Sequence, residues 1–141
     1  MWPTQFEHRL AAWHTLRQPL EDKTLPELLQ NINVWWQQTP WCPYHLHWDD
    51  RKDWPDPWQL LSDNIYCDLA RALGIMYTMV LTDCYDLSDS RIVETDQGNL
   101  VQINQGKYIL NWGRDIVLNN NLEQQKIKNV IEFSDIKIQL L

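Results

Sequence analysis

With 141 residues, 44% of them apolar and 22% charged, the chain has the length for a single hydrophobic core with arms and a composition that excludes a wholly disordered or collagen-like protein. Lys plus Arg number 12 against 19 Asp plus Glu, a net charge of −7; with no local basic cluster, this excludes a dedicated nucleic-acid backbone binder, because phosphate contacts need a basic surface. The longest apolar run, at 75–81, is far below membrane-spanning length, and the amino terminus lacks a basic stretch followed by an apolar one, so no membrane partner is expected and a cytosolic origin is the default.

The cysteines Cys42, Cys67 and Cys84 are odd in number and form no CxxC unit, which argues against a disulfide scaffold, structural zinc or a redox pair. The compositional anomaly is nine tryptophans beside two phenylalanines and four glycines. Tryptophan is large and amphipathic, and it concentrates where one side of a contact is dry and the other polar.

In chain order, Phe6, Leu10, Trp13 and Leu16 recur at helical spacing, and Pro19 ends that first helix. A second helix is predicted over 25–36, with Pro26 and Glu27 in its first turn and an apolar face that includes Trp35 and Trp36. From 39 to 57 prolines at 40, 43, 55 and 57 predict an ordered loop, pinned by Trp41, Tyr44, Trp48 and Trp54. A long helix is predicted from Trp58 to Leu73, capped by Asp56 with Pro57 at its first position, carrying Cys67 in its middle and terminated by Gly74. The run IMYTMVLT at 75–82 reads as a buried strand.

Strands are expected at 91–95, 100–103 and 107–112, the last two joined in a hairpin through Asn104-Gln105-Gly106, and 119–125 reads as a break. In the final segment, 126–141, Ile136, Ile138 and Leu140 alternate with polar residues, predicting a strand that either closes the sheet or adds to a neighbour. The chain therefore divides into an amino-terminal helical segment (1–38), a core (39–118) and a strand-like arm (119–141), in an α+β arrangement of one main helix on an antiparallel sheet preceded by two helices.

Three constellations carry candidate chemistry. Cys42, His45, His47, Asp49 and Asp50 have metal-ligand types but not the spacing of a closed zinc motif. Asp49, Asp50, Asp53 and Asp56 could in principle supply paired carboxylates for an acidic hydrolase, although a solvated loop with Asp56 as a cap explains them as well. Cysteine chemistry would need Cys67 or Cys42 to meet a histidine; at mid-helix Cys67 reads as a buried core thiol.

Arg71-Ala72-Leu73-Gly74-Ile75 followed by Met79-Val80-Leu81-Thr82-Asp83 resembles the helix end and strand of transglutaminase-like, papain-related domains. Gly98-Asn99-Leu100-Val101-Gln102-Ile103 and Lys107-Tyr108-Ile109-Leu110-Asn111 are similar to the strands that carry that family's histidine and aspartate. The resemblance implies a transglutaminase-like core whose nucleophile, base and acid positions fall on Gln59, Asn99 and Asn111, so that the triad is lost.

The paired Trp35-Trp36, the WPDPW segment and DNIYCDLARALG also resemble small proteins of large tailed bacteriophages. This resemblance implies a non-catalytic structural or assembly protein of the virion, in the tail or baseplate, put together in the host cytoplasm with other virion proteins as partners. No catalytic residue, metal or cofactor is expected, and the interface is expected at Phe6, Leu10, Trp13, Trp35, Trp36, Trp41, Trp48, Trp54, Ile136, Ile138 and Leu140. The alternatives are a cysteine-dependent amidase or transferase, an acidic hydrolase, or a small regulator or immunity protein.

Overall fold

The computed structural model describes residues 2–18, 23–82, 86–118 and 126–140; Cys84 and the break expected at 119–125 lie outside them. The architecture is α+β: helices α1 (Phe6–Leu16), α2 (Leu25–Gln37), α3 (Pro57–Asp63), α4 (Asp68–Val80) and α5 (Phe133–Gln139) surround one face of an antiparallel sheet. The strands are β1 (Ser90–Thr95), β2 (Gly98–Ile103), β3 (Tyr108–Leu110), β4 (Val117–Leu118) and β5 (Asn129–Glu132), in the order β4-β3-β2-β1-β5. A short 3-10 helix, Trp48–Asp53, lies inside the proline-rich loop.

The first two helices form where their apolar spacing predicts. Thr24 caps α2 by accepting from the Glu27 N–H, with Pro26 in the first turn where its missing donor costs nothing. Both helices turn their stripes inward, and Trp13, Leu29 and Ile32 are fully buried.

The long helix predicted over 58–73 is instead two. Asp56 caps α3 as expected, accepting from the Gln59 N–H at 2.8 Å, but the helix stops at Asn64, whose left-handed φ of 55° is a conformation asparagine tolerates. Tyr66 then runs beside Trp41 in a parallel bridge, its carbonyl accepting from the Cys42 N–H at 2.9 Å. Cys67 therefore sits at the N-cap of α4 rather than inside a helix, although it is buried as expected.

The strand predicted at 75–82 is the second half of α4. Every residue from Ala72 to Met79 is buried, so the apolar run lacks the polar face that separates a surface helix from a core strand. Gly74 does not end the helix; a Cβ there would lie 2.5 Å from the Trp36 ring, so the glycine is the notch that lets α2 approach α4.

The hairpin expected through Asn104-Gln105-Gly106 joins β2 to β3, with Asn104 (φ 53°), Gln105 (φ 59°) and Gly106 (φ 93°) all left-handed. Register sets one apolar row across the sheet: Leu110 faces Val101, Val101 faces Ile92 and Ile92 faces Ile131. All four join the main core against α4. Among its described residues the carboxyl arm is strand only over Asn129–Glu132, where it pairs with β1 of its own chain. The expected alternation of Ile136, Ile138 and Leu140 is overturned, because α5 carries Ile136 into the core and leaves Ile138 outside.

One hydroxyl ties the helices together. Thr78 Oγ1, fully buried on α4, accepts from Trp13 Nε1 of α1 at 2.8 Å and Trp36 Nε1 of α2 at 2.9 Å, and donates to the Gly74 carbonyl at 2.7 Å. Thr78→Val should keep the shape while stranding two buried indole donors, lowering stability by about 2–5 kcal/mol, whereas Thr78→Ser should retain most of it. Denaturant melts of the two variants beside the wild type check this, with equal stability of the valine and serine variants as the contradicting result.

Candidate functional site

The start of α4 opens into a cleft of about 270 Å³ between the loop at 43–49 and the adjoining ends of β1, β2 and β5. Cys67 and Asp68 lie on its floor, with Tyr44, His47, Asp49, Glu94 and Asn99 around them. The Leu46 N–H donates to Cys67 Sγ at 3.4 Å, while Tyr44 Oη and His47 Nδ1 share a hydrogen bond of 2.5 Å at the rim.

Asp68 is the junction of the site. Its carboxylate accepts from the Asn99 N–H of β2 at 2.5 Å and from Asn111 Nδ2 at 3.2 Å. Asn111 Nδ2 also donates to the Asn99 carbonyl at 2.7 Å, and Asn99 Oδ1 accepts from Trp48 Nε1 at 2.7 Å. Asn111 adopts a left-handed φ of 66° just past β3, which turns its side chain back under β2 toward α4.

A second set of amides holds Asn111 from behind. Asn33 Oδ1 of α2 accepts from the Asn111 N–H at 2.9 Å, and its Nδ2 donates to the carbonyls of Gly113 and Arg114. Gln37 Nε2 donates to Asn111 Oδ1 at 2.7 Å, and Gln30 accepts from the Ile116 N–H while donating to Asp115.

Burial pushes the Asp68 carboxyl above the ordinary carboxylate range, opposed by the Asn99 hydrogen bonds, the Arg71 charge and the Asn111 amide. Arg71 is in turn held by Thr39, its Nε donating to Oγ1 at 2.7 Å and its Nη2 to the carbonyl at 2.9 Å.

The structure brings Asn99 and Asn111 together, but not Gln59. Gln59 lies on α3, where its amide donates to Asp63, and it lines a neighbouring cleft. The helix that starts beside the two asparagines is α4, and the residue at its N-cap is Cys67, eight positions further along than the spacing argument placed the nucleophile. Counting back from the Arg-x-Leu-Gly segment assumed one continuous helix; the break at Asn64 and the extension to Val80 overturn that count.

Among the described residues no group of three His, Cys, Asp or Glu side chains is disposed to hold a metal ion, and Cys42, His45, His47, Asp49 and Asp50 do not converge. Asp49, Asp50 and Asp53 ride the exposed 3-10 helix, while Asp56 is occupied as the α3 cap.

Of the residues expected at an interface, Trp13, Trp36 and Ile136 are taken into the chain's own core. Phe6, Leu10, Trp35, Trp48, Trp54 and Leu140 are half-buried against it, whereas Trp41 (57% exposed) and Ile138 (69% exposed) face outward. Trp48 and Trp54 pin the loop as predicted, edge to face at 5.5 Å with Trp54 Nε1 donating to the His47 carbonyl; Trp41 and Tyr44 leave their rings exposed.

The sequence reading missed Asp68 and the amides Gln30, Asn33 and Gln37. The amides were visible as a polar stripe at helical spacing on α2, opposite no known partner; Asp68 had only its place beside Cys67 as a signal.

No family model, curated protein or solved structure matches the chain. Among the described residues no helix is long and apolar enough to cross a membrane.

Asp68 generates a pH prediction. With its folded-state carboxyl raised above the ordinary 3.8, the folded protein holds the proton more tightly than the unfolded chain does. Its contribution to stability is therefore full below the unfolded value and lost as pH rises through the folded one. Asp68→Asn should flatten that part of the stability profile and lower stability at neutral pH, because its new amide sets a donor against Asn111 Nδ2. Urea melts across the acidic range check this, and a parallel pH slope in wild type and variant would contradict it.

Proposed function

We propose that the chain is a non-catalytic structural or assembly protein of a tailed-phage virion, placed in the tail or baseplate and built on a transglutaminase-like core that has lost its triad. The observation that supports it most is the state of Asn99 and Asn111. Neither amide is an imidazole or carboxylate able to move a proton at neutral pH, and both are engaged in holding β2, α2 and α4 together. The exposed rings of Trp41, Tyr44 and Trp58 and the exposed Ile138 supply apolar surface of the kind that partners cover.

A second reading, a cysteine-dependent amidase or transferase, is favoured by one observation: Cys67 lines the same cleft as His47 and sits at the amino end of a helix, where a thiolate is stabilised. Against it, Cys67 is only 4% exposed and His47 is oriented by a tyrosine hydroxyl rather than by a carboxylate or amide.

Reconstitution of the parent particle separates the two. Terminal truncation is a poor test, because α1 contributes Trp13 and the final segment contributes Ile131, Phe133 and Ile136 to the core. Substitution of exposed residues leaves that core intact: Trp41→Ser with Ile138→Ser should reduce incorporation by about tenfold, while folded Cys67→Ser should incorporate normally. Normal incorporation of the double variant and failure of the folded serine variant would replace the assembly reading with the catalytic one.

A further inference from the structure

A cavity of about 620 Å³ lies beside the carboxyl-terminal end of α2, away from the groups that line the cleft at the start of α4. It is lined by Trp2, by Val34, Gln37 and Gln38 at the end of that helix, and by Arg114 in the segment between β3 and β4. Its size falls in the range of pockets that take small molecules, and apolar walls carrying a few polar groups are the usual lining of such pockets.

The lining has a definite chemistry. The Trp2 ring is held in place, its Nε1 donating to Asn64 Oδ1 at 2.8 Å and its ring centre 4.5 Å from that of Trp35, so the surface it has left to offer is apolar. Gln37 is oriented by the bond from its Nε2 to Asn111 Oδ1 at 2.7 Å, whereas the side-chain amide of Gln38 has no hydrogen-bond partner among the described residues. The Arg114 carbonyl accepts from Asn33 Nδ2 at 2.9 Å, which ties its main chain to α2, yet among the described residues its guanidinium forms no ion pair or hydrogen bond. Asp115, its neighbour in sequence, is turned to Gln30 Nε2 instead, at 2.7 Å. No Asp or Glu lines the cavity, so in a chain of net charge −7 a cation here stands beside apolar surface with no carboxylate to meet it.

We infer that this cavity binds a small carboxylic acid with an apolar or aromatic body, at a site independent of the assembly reading. Charge complementarity selects the acid: the guanidinium fork matches a carboxylate through two parallel N–H donors, and the Gln38 amide can add another. The body of the acid lies against Trp2 and Val34, where removal of apolar surface from water supplies the rest of the affinity. A phosphate dianion fits less well, because one guanidinium leaves part of its charge unmet and no second cation lines the cavity. None of the lining residues lies in a strand, so the site offers no sheet edge to a peptide backbone, which favours a small acid over a chain terminus.

The test uses the full chain and 3-phenylpropionate, with 3-phenylpropanamide, acetate and a peptide ending in a free phenylalanine carboxylate as comparisons, read by calorimetry and by the Trp2 indole N–H resonance. Arg114→Gln, Arg114→Lys and Gln38→Glu are made singly; both positions are exposed, and unchanged thermal melting establishes that each variant is folded. 3-Phenylpropionate should bind saturably, move the Trp2 resonance, and bind about tenfold more weakly to Arg114→Gln and to Gln38→Glu, with Arg114→Lys between them and the wild type. Its amide, which keeps the shape without the charge, and acetate, which keeps the charge without the body, should each bind at least about tenfold more weakly than the acid. No saturable binding, equal binding of acid and amide, equal binding to wild type and Arg114→Gln, or binding that leaves the Trp2 resonance unmoved would each overturn the inference. Binding of the peptide about tenfold more tightly than the small acid would overturn it in favour of a chain terminus.

Discussion

A single threonine hydroxyl sets the geometry on which the helical half of the protein depends. Thr78 presents one oxygen to two indole N–H groups from different helices and returns its own proton to α4 through the Gly74 carbonyl. A buried indole without an acceptor is costly, so the hydroxyl fixes where Trp13 and Trp36 must enter as well as satisfying them. Gly74, one turn earlier, supplies the space: the Trp36 ring occupies the place where any other residue would carry a Cβ. The two amino-terminal helices are therefore structural members of the core and not appendages to it.

The same constraint reaches the cleft through α2. Once Trp36 is anchored, the polar stripe of Gln30, Asn33 and Gln37 falls against the segment that follows β3, and its amides satisfy the main chain from Asn111 to Ile116. Asn111, held there in a left-handed conformation, reaches both Asp68 and the Asn99 carbonyl. Helix, loop and strand are joined by hydrogen bonds whose partners are mostly amides, which carry no charge into the interior and lose nothing to a change of pH. Asp68 is the exception, a partly buried carboxylate held by donors from both strand and loop.

What the sequence made legible follows from the strength of its local signals. The first two helices, the Asp56 cap and the β2–β3 hairpin were each marked by periodicity, a capping residue or turn chemistry, and they form where those signals place them. The main helix was misread because burial erased its polar face: from Ala72 to Met79 there is no exposed position to show a helical period, and an apolar run of that length also fits a core strand. Gly74 compounded the error, since glycine marks a helix end in isolation and its packing role depends on Trp36, 38 positions earlier. The site inherited these errors, with Gln59 substituted for Cys67 as the residue at the amino end of the main helix. Asn99 and Asn111, read from short strands with clear turn signals, do meet.

The tryptophan surplus, which first suggested an interface, is largely spent inside the chain. Trp2 lies 4.5 Å from Trp35 and 5.5 Å from Tyr66, Trp35 and Trp36 stack edge to face at 5.0 Å, and Trp2 Nε1 donates to Asn64 Oδ1 at the very residue where α3 breaks. With two phenylalanines in the chain, indoles do the filling that benzyl rings do elsewhere, and each brings a donor that must be met. Thr78, Asn64, Asn99 and the His47 carbonyl are the acceptors that meet five of them, those of Trp2, Trp13, Trp36, Trp48 and Trp54, and each joins two segments distant in sequence or ties a loop to itself. Among the described residues the aromatic side chains that remain exposed are Trp41 and Tyr44 before the 3-10 helix, Trp58 on α3 and Trp112 after β3, so the larger share of the indole surface is spent on joining the chain's own segments.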